Sequence, residues 1–238
     1  MERIDLSWSR FVFPPLNREG VRFVLIAGGI ALLLHSLFVW LGHPLAALVF
    51  WALPLGVYYF FRDPERVPPL DADVVLSSAD GTVCLISQEP IPEQLGLNPS
   101  PIVWRVCVFM SVFNVHVNRA PADGVVTKMH YVPGEMLNAS LDKASESNER
   151  QLYLMTAANG QQLAFVQIAG LVARRIVSFA EEGQSLARAE RFGLIRFGSR
   201  VDIYLPQGVE PAVRVGQTMV AGETVIARLT KTVEPAHE

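Results

Sequence analysis

The stretch Ile102–Met110, IVWRVCVFM, is built mostly from β-branched, aromatic and other apolar side chains. Such residues suit a pleated, half-buried surface. Comparable short runs lie on both sides of it: Asp73–Leu76 (DVVL), Gly81–Ile86 (GTVCLI), Gly124–Tyr131 (GVVTKMHY), Gln151–Met155 (QLYLM), Gln162–Ile168 (QLAFVQI), Val201–Leu205 (VDIYL) and Thr224–Leu229 (TVIARL). Turn residues separate the runs at intervals of roughly 8–12 residues, which predicts a mainly β domain, a compact sandwich or barrel. A helix is expected at Leu171–Ser178 (LVARRIVS) and another near Arg188–Phe192. The segment Val213–Arg228 places Gly216 and Gly222 between β runs, as in lipoyl- or biotinyl-like sandwiches. The modified lysine of those carriers is missing, so the segment reads as scaffold.

Working outward toward the N-terminus, the composition changes. Phe23–Phe61 contains no Asp, Glu, Lys or Arg. Phe23–Gly42 at about 1.5 Å per residue reaches roughly 30 Å, the thickness of a hydrocarbon core. Leu45–Phe61 follows the turn at His43-Pro44, carries Pro54, and reaches roughly 26 Å, the short end of a span. Arg3, Arg10, Arg18 and Arg22 precede this pair, and Arg62 and Arg66 follow it. That asymmetry predicts a helical membrane hairpin with both ends in the cytoplasm. The expected organisation is a cytoplasmic segment 1–22, a hairpin 23–61, an extended Pro-rich linker 62–72 and a β-rich domain 73–238.

The remaining arithmetic excludes several classes. The chain has 238 residues with 20 Lys+Arg against 23 Asp+Glu, a net charge of −3, so it offers no basic surface for nucleic acid. Half of the residues are hydrophobic, and mean hydropathy is +0.29, which excludes a largely disordered chain. Cys84 and Cys107 are too few for a disulfide framework, and no metal site is expected.

Three polar clusters interrupt the apolar background. Ser78-Ala79-Asp80-Gly81 reads first as a turn between strands. His116 stands in Phe113–Pro121 (FNVHVNRAP), directly after an apolar run. Ser199 stands in Arg196–Arg200 (RFGSR), before another. A serine becomes a nucleophile only when a base takes its proton, and Asp80, His116 and Ser199 are the side chains from which a triad would be built.

Taken together, these clusters resemble the phosphatidylserine decarboxylase family in its short proenzyme form. The resemblance runs along nearly the whole chain, through FRDPER (61–66), SADGTV (78–83), FMSVFNVHVNRAP (109–121), YVPGEMLNA (131–139), SNER (147–150), QIAGLVARRI (167–176) and RFGLIRFGSRVDIYLP (191–206). It implies self-cleavage between Gly198 and Ser199, which turns Ser199 into a covalent pyruvoyl group. His116 would be the base and Asp80 its orienting carboxylate. The pyruvoyl group would form a Schiff base with the amine of phosphatidylserine and drive decarboxylation to phosphatidylethanolamine. Arg119 stands where many relatives carry a second histidine, and it is expected to bind a substrate anion, with Asn114 as a further substrate contact. The implied partners are a serine phospholipid, the membrane, and the two cleavage chains as a heterodimer, with a dimer of these left open. The implied location is the cell membrane, with the catalytic domain cytoplasmic. Two other readings stand beside it: a membrane-anchored serine hydrolase acting through the same Ser199, His116 and Asp80, and a non-enzymatic membrane adaptor with a carrier-like β domain, which needs none of them.

Overall fold

A computed structural model describes residues 13–134, 148–170, 175–196 and 199–229. The chain divides into two compact units, 1–65 and 66–238.

The first unit is helical. Helix α1 runs Arg18–Trp40, α2 Pro44–Ala47 and α3 Ala52–Phe60, with a 3-10 turn at Leu48–Trp51 between the last two. Asn17 caps α1 by accepting a hydrogen bond from the Glu19 N–H at 3.0 Å. The missing N–H of Pro54 falls in the first turn of α3, where it costs least. Helix α1 is long and apolar enough to cross a membrane, with a mean hydropathy of 2.2. The two ends of the unit are tied together. The Asn17 N–H donates to the Phe61 carbonyl at 2.9 Å, the Asp63 N–H donates to the Pro15 carbonyl at 2.7 Å, and the Phe23 and Phe61 rings stack at 5.2 Å. The two arms therefore form a hairpin whose entry and exit lie at one end.

The second unit is β, with thirteen strands among the described residues. They are β1 (Val74–Leu76), β2 (Gly81–Pro90), β3 (Ile102–Met110), β4 (Val117–Arg119), β5 (Gly124–Val132), β6 (Arg150–Ala157), β7 (Gln162–Ala169), β8 (Ile176–Ser178), β9 (Ser185–Leu186), β10 (Arg191–Ile195), β11 (Ser199–Tyr204), β12 (Thr218–Met219) and β13 (Val225–Arg228). Eight of these make one curled antiparallel sheet in the order β12-β2-β3-β11-β7-β6-β5-β9; β4-β10-β8 form a second sheet and β1-β13 a third. The expected mainly β, sandwich-like or barrel-like architecture behind an apolar helix is what the structure contains.

Alternation along β11 sorts its side chains onto two faces. Val201 and Ile203 join Val106, Val108 and Met110 of β3, Phe165 of β7 and Tyr153 of β6 in the main core. Ile195 and Phe192 of β10 close that core from the second sheet. The opposite face carries a smaller apolar cluster that includes Val103, Leu152, Val166 and Tyr204.

The expected helix at Leu171–Ser178 is not formed where the chain is described. Ile176–Ser178 is strand β8, paired with β10 through Ile195↔Ile176 and Leu194↔Val177. Residues 171–174 lie outside the described residues. The stretch near Arg188–Phe192 leads into β10 instead of a helix. In both places partners distant in sequence outweigh weak local helix propensity.

Candidate active site

Ser199 opens β11, the strand held between β3 and β7. It stands opposite Met110 on one side and Ala169 on the other. By strand alternation its side chain shares the core face with Val201. The residue is completely buried, and its Oγ has no hydrogen-bond partner among the described residues. A buried hydroxyl without a partner is destabilising, so its retention needs a reason. Gly198, the expected cleavage partner, lies outside the described residues.

The side chain beyond Ser199 anchors the strand from the other face. The Arg200 Nε and Nη2 donate to the two Asp202 oxygens at 2.7 and 2.8 Å. Arg105 of β3 approaches the same carboxylate at 3.8 Å. Both members of the bidentate pair are about 1% exposed.

His116 reaches the Ser199 end of the sheet by two routes. After Met110 the chain makes a turn held by its own side chains. The Asn114 N–H donates to the Ser111 carbonyl at 2.9 Å, and the Asn114 Oδ1 accepts from the Ser111 N–H at 2.9 Å and its hydroxyl at 2.8 Å. Across the second sheet, the N–H of Ile195, four residues before Ser199 in sequence, donates to the His116 carbonyl. The imidazole is buried, with Nδ1 2.9 Å from the Asn114 carbonyl oxygen. A carbonyl only accepts, so Nδ1 carries a hydrogen; in the neutral ring the lone pair a general base requires is then on Nε2.

Asp80 sits on the turn into β2. The Arg119 N–H donates to the Ser78 carbonyl at 2.9 Å, which ties this turn to β4 beside His116. The Asp80 Oδ1 accepts from the Ala221 N–H at 2.8 Å, and Oδ2 pairs with the Arg66 Nη2 at 2.7 Å. Gly81 is required here, because a Cβ at this position would lie 2.0 Å from the Phe109 carbonyl oxygen. Arg119 is buried, and its Nη1 donates to the Ala189 carbonyl at 2.8 Å. Asn114 spends its side-chain oxygen on the Ser111 turn.

Three features escaped the sequence reading. Arg66, counted there only as a flanking cation, is the ion-pair partner of Asp80. The SNER stretch proves to be a brace: the Asn148 Nδ2 donates to the Ala169 carbonyl at 2.7 Å, and the Glu149 Oε1 accepts from the Tyr131 hydroxyl at 3.2 Å. A buried polar chain, Tyr153–Gln167–Asn118–Met110, runs along the core face that carries Ser199. Arg66 had a signal in the FRDPER motif, Asn148 and Glu149 in SNER, and Asn118 and Gln167 in the motifs 109–121 and 167–176, but none of these motifs names the side chain's partner. Among the described residues no cluster of metal-ligating side chains occurs. Burial raises both thiols above the ordinary cysteine value, Cys107 well above it.

The family model described as phosphatidylserine decarboxylase matches residues 54–227 of this chain. A relative from Cereibacter sphaeroides, named phosphatidylserine decarboxylase proenzyme, is 53% identical over 218 residues, covering 92% of this chain and 91% of the relative. A protein of the same name from Ruegeria pomeroyi is 52% identical over 215 residues, covering 90% and 95% respectively. Another from Gluconacetobacter diazotrophicus is 60% identical over 171 residues, covering 72% of this chain and 76% of the relative.

Proposed function

The chain belongs to the phosphatidylserine decarboxylase family, and on that premise we propose that it is a proenzyme that cuts itself between Gly198 and Ser199 and then converts phosphatidylserine to phosphatidylethanolamine. The observation that carries the proposal is the Ser199 hydroxyl: fully buried, without a hydrogen-bond partner among the described residues, and opposite Met110, from which the chain runs on to His116. An unsatisfied hydroxyl is a poor structural element and a suitable latent nucleophile.

Processing follows from these groups. His116 accepts the Ser199 hydroxyl proton as Oγ bonds to the Gly198 carbonyl carbon. The carbon–nitrogen bond then breaks, giving an ester and a new amine at residue 199. Loss of the residue-199 α-proton and cleavage of the Cβ–Oγ bond leave a carboxylate on Gly198. Tautomerisation and addition of water expel ammonia, and the pyruvoyl cap remains. That cap supplies a Schiff-base carbonyl and an electron sink for the departing carboxylate. Around it, His116 moves the protons, Asp80 with its Arg66 partner fixes the adjoining turn, and Arg119 and Asn114 serve the anionic groups of the lipid. The apolar hairpin holds the catalytic unit at the bilayer, and the cationic residues at the tied ends place that unit on the cytoplasmic side.

The test is product analysis with phosphatidylserine in detergent micelles. Purified protein should release carbon dioxide and phosphatidylethanolamine in equal amounts. Free fatty acid or free serine without carbon dioxide would replace this reading with a hydrolase.

A further inference from the structure

One row of residues crosses the end of the large sheet. Met110 and Ala169 stand opposite Ser199, and the Ala169 N–H donates to the Glu149 carbonyl at 3.0 Å. Directly beyond Met110 the chain enters the Ser111–Asn114 turn, which leaves Val112 and Phe113 47% and 72% exposed. A single exposed apolar side chain is ordinary. Two in succession on a braced turn are harder to account for by folding alone. The brace is the Asn114 Oδ1, which accepts from both the N–H and the hydroxyl of Ser111. The same turn is tied to the chemistry, because the Asn114 carbonyl accepts from the His116 Nδ1.

Two more exposed groups stand by this row. Tyr131 is 52% exposed and donates its hydroxyl to the Glu149 Oε1 at 3.2 Å. Arg175 is exposed, and it precedes Ile176, whose N–H donates to the same Glu149 oxygen at 3.4 Å. The Arg175 carbonyl accepts from the Arg196 N–H at 3.3 Å, one residue beyond the Ile195 that bonds to His116. An apolar tip, a phenol and a guanidinium at one end of a sheet suit a membrane–water interface. The ring enters the acyl boundary, the phenol stays at headgroup level, and the cation meets phosphate and carboxylate groups.

We infer that this sheet end is a membrane contact of the catalytic unit itself, additional to the hairpin: Val112 and Phe113 enter the acyl boundary of a bilayer, and Arg175 meets its anionic headgroups. Docked in this way, position 199 lies toward the headgroup layer, where the serine amine is found. The inference rests on the lipid reading above, in which phosphatidylserine is taken at residue 199.

The experiment uses full chain in phospholipid nanodiscs containing phosphatidylserine, for the wild type, Phe113→Ser and Phe113→Leu. Phe113→Ser should raise the surface KM about tenfold with kcat kept, the lower end of what burying one phenyl ring supplies. Phe113→Leu should stay within about twofold of wild type, since it keeps an apolar tip. Depth is read separately from a nitroxide on Phe113→Cys in a Cys84→Ser background; Cys107 is buried. That label should collide more with oxygen, which concentrates among acyl chains, than with a water-soluble nickel complex. A label on Gln207→Cys, exposed past the far end of β11, should show the reverse. A Phe113→Ser surface KM equal to the wild type's, a loss confined to kcat, or a residue-113 label that favours the nickel complex overturns the inference. A wild type that decarboxylates no phosphatidylserine overturns the lipid reading instead, and the residue-113 label still decides the docking.

Discussion

A Ser199→Ala chain is expected to stay whole at 26.3 kDa and to release no carbon dioxide from phosphatidylserine above background. The substitution removes a single oxygen atom, and that oxygen has no hydrogen-bond partner among the described residues. Its packing role is therefore small. Deleting a buried, unpaired hydroxyl should raise the stability of the uncut chain, by about 1–3 kcal/mol if the full desolvation penalty is relieved. Total loss of activity together with equal or greater stability separates a chemical role for Ser199 from a structural one. Denaturant titration of the variant against freshly made, unprocessed wild type measures the second half. A marked fall in stability would show that the hydroxyl holds the fold, and the nucleophile assignment would lose its physical support.

The second large effect is expected at Asp202. This carboxylate receives two hydrogen bonds from Arg200 and stands close to Arg105, all in the sheet interior. Asp202→Ala leaves buried guanidinium charge without its counter-ion, which costs about 3–5 kcal/mol. The urea midpoint should fall accordingly. Processing should also slow, because the strand that presents Ser199 loses the pair that fixes its outer face. Replacing both partners, Arg200→Met with Asp202→Leu, should recover much of the stability, since an apolar pair has no desolvation penalty to offset. If Asp202→Ala unfolds at the wild-type midpoint, the pair is not what anchors β11.

The extent to which the sequence disclosed this molecule depends on how local each feature is. Strand β3 begins and ends where the run IVWRVCVFM does, because a continuous β-rich segment bounded by turn residues carries its own limits. The long apolar helix α1 was equally plain, since a charge-free stretch of that length favours a continuous helix. LVARRIVS misled because its apolar residues fit a short helix as well as a strand, and only pairing with β10 decides between them.

The site divides in the same way. Ser199, His116 and Asp80 were visible as polar residues bordering apolar runs. The structure accounts for two of their settings: His116 by the Ser111–Asn114 turn, and Ser199 by its place between Met110 and Ala169. Arg66 stood in view as a juxtamembrane cation, with nothing in the sequence to join it to Asp80. The Tyr153–Gln167–Asn118 chain was hidden because Tyr153 and Gln167 read as ordinary members of QLYLM and QLAFVQI. Their hydrogen bonds depend on the pairing of β6 with β7 and on the approach of β4, contacts that no single segment specifies.

The most direct test is the intact mass of freshly purified protein that is actively decarboxylating phosphatidylserine. The account predicts two species and no whole chain. One should be about 22 kDa, and the other about 4.4 kDa, the 40/238 share of 26.3 kDa, beginning with a keto-acyl cap in place of an amine. A single 26.3 kDa species with a free Ser199 hydroxyl, in a preparation that still releases carbon dioxide from the lipid, would contradict it.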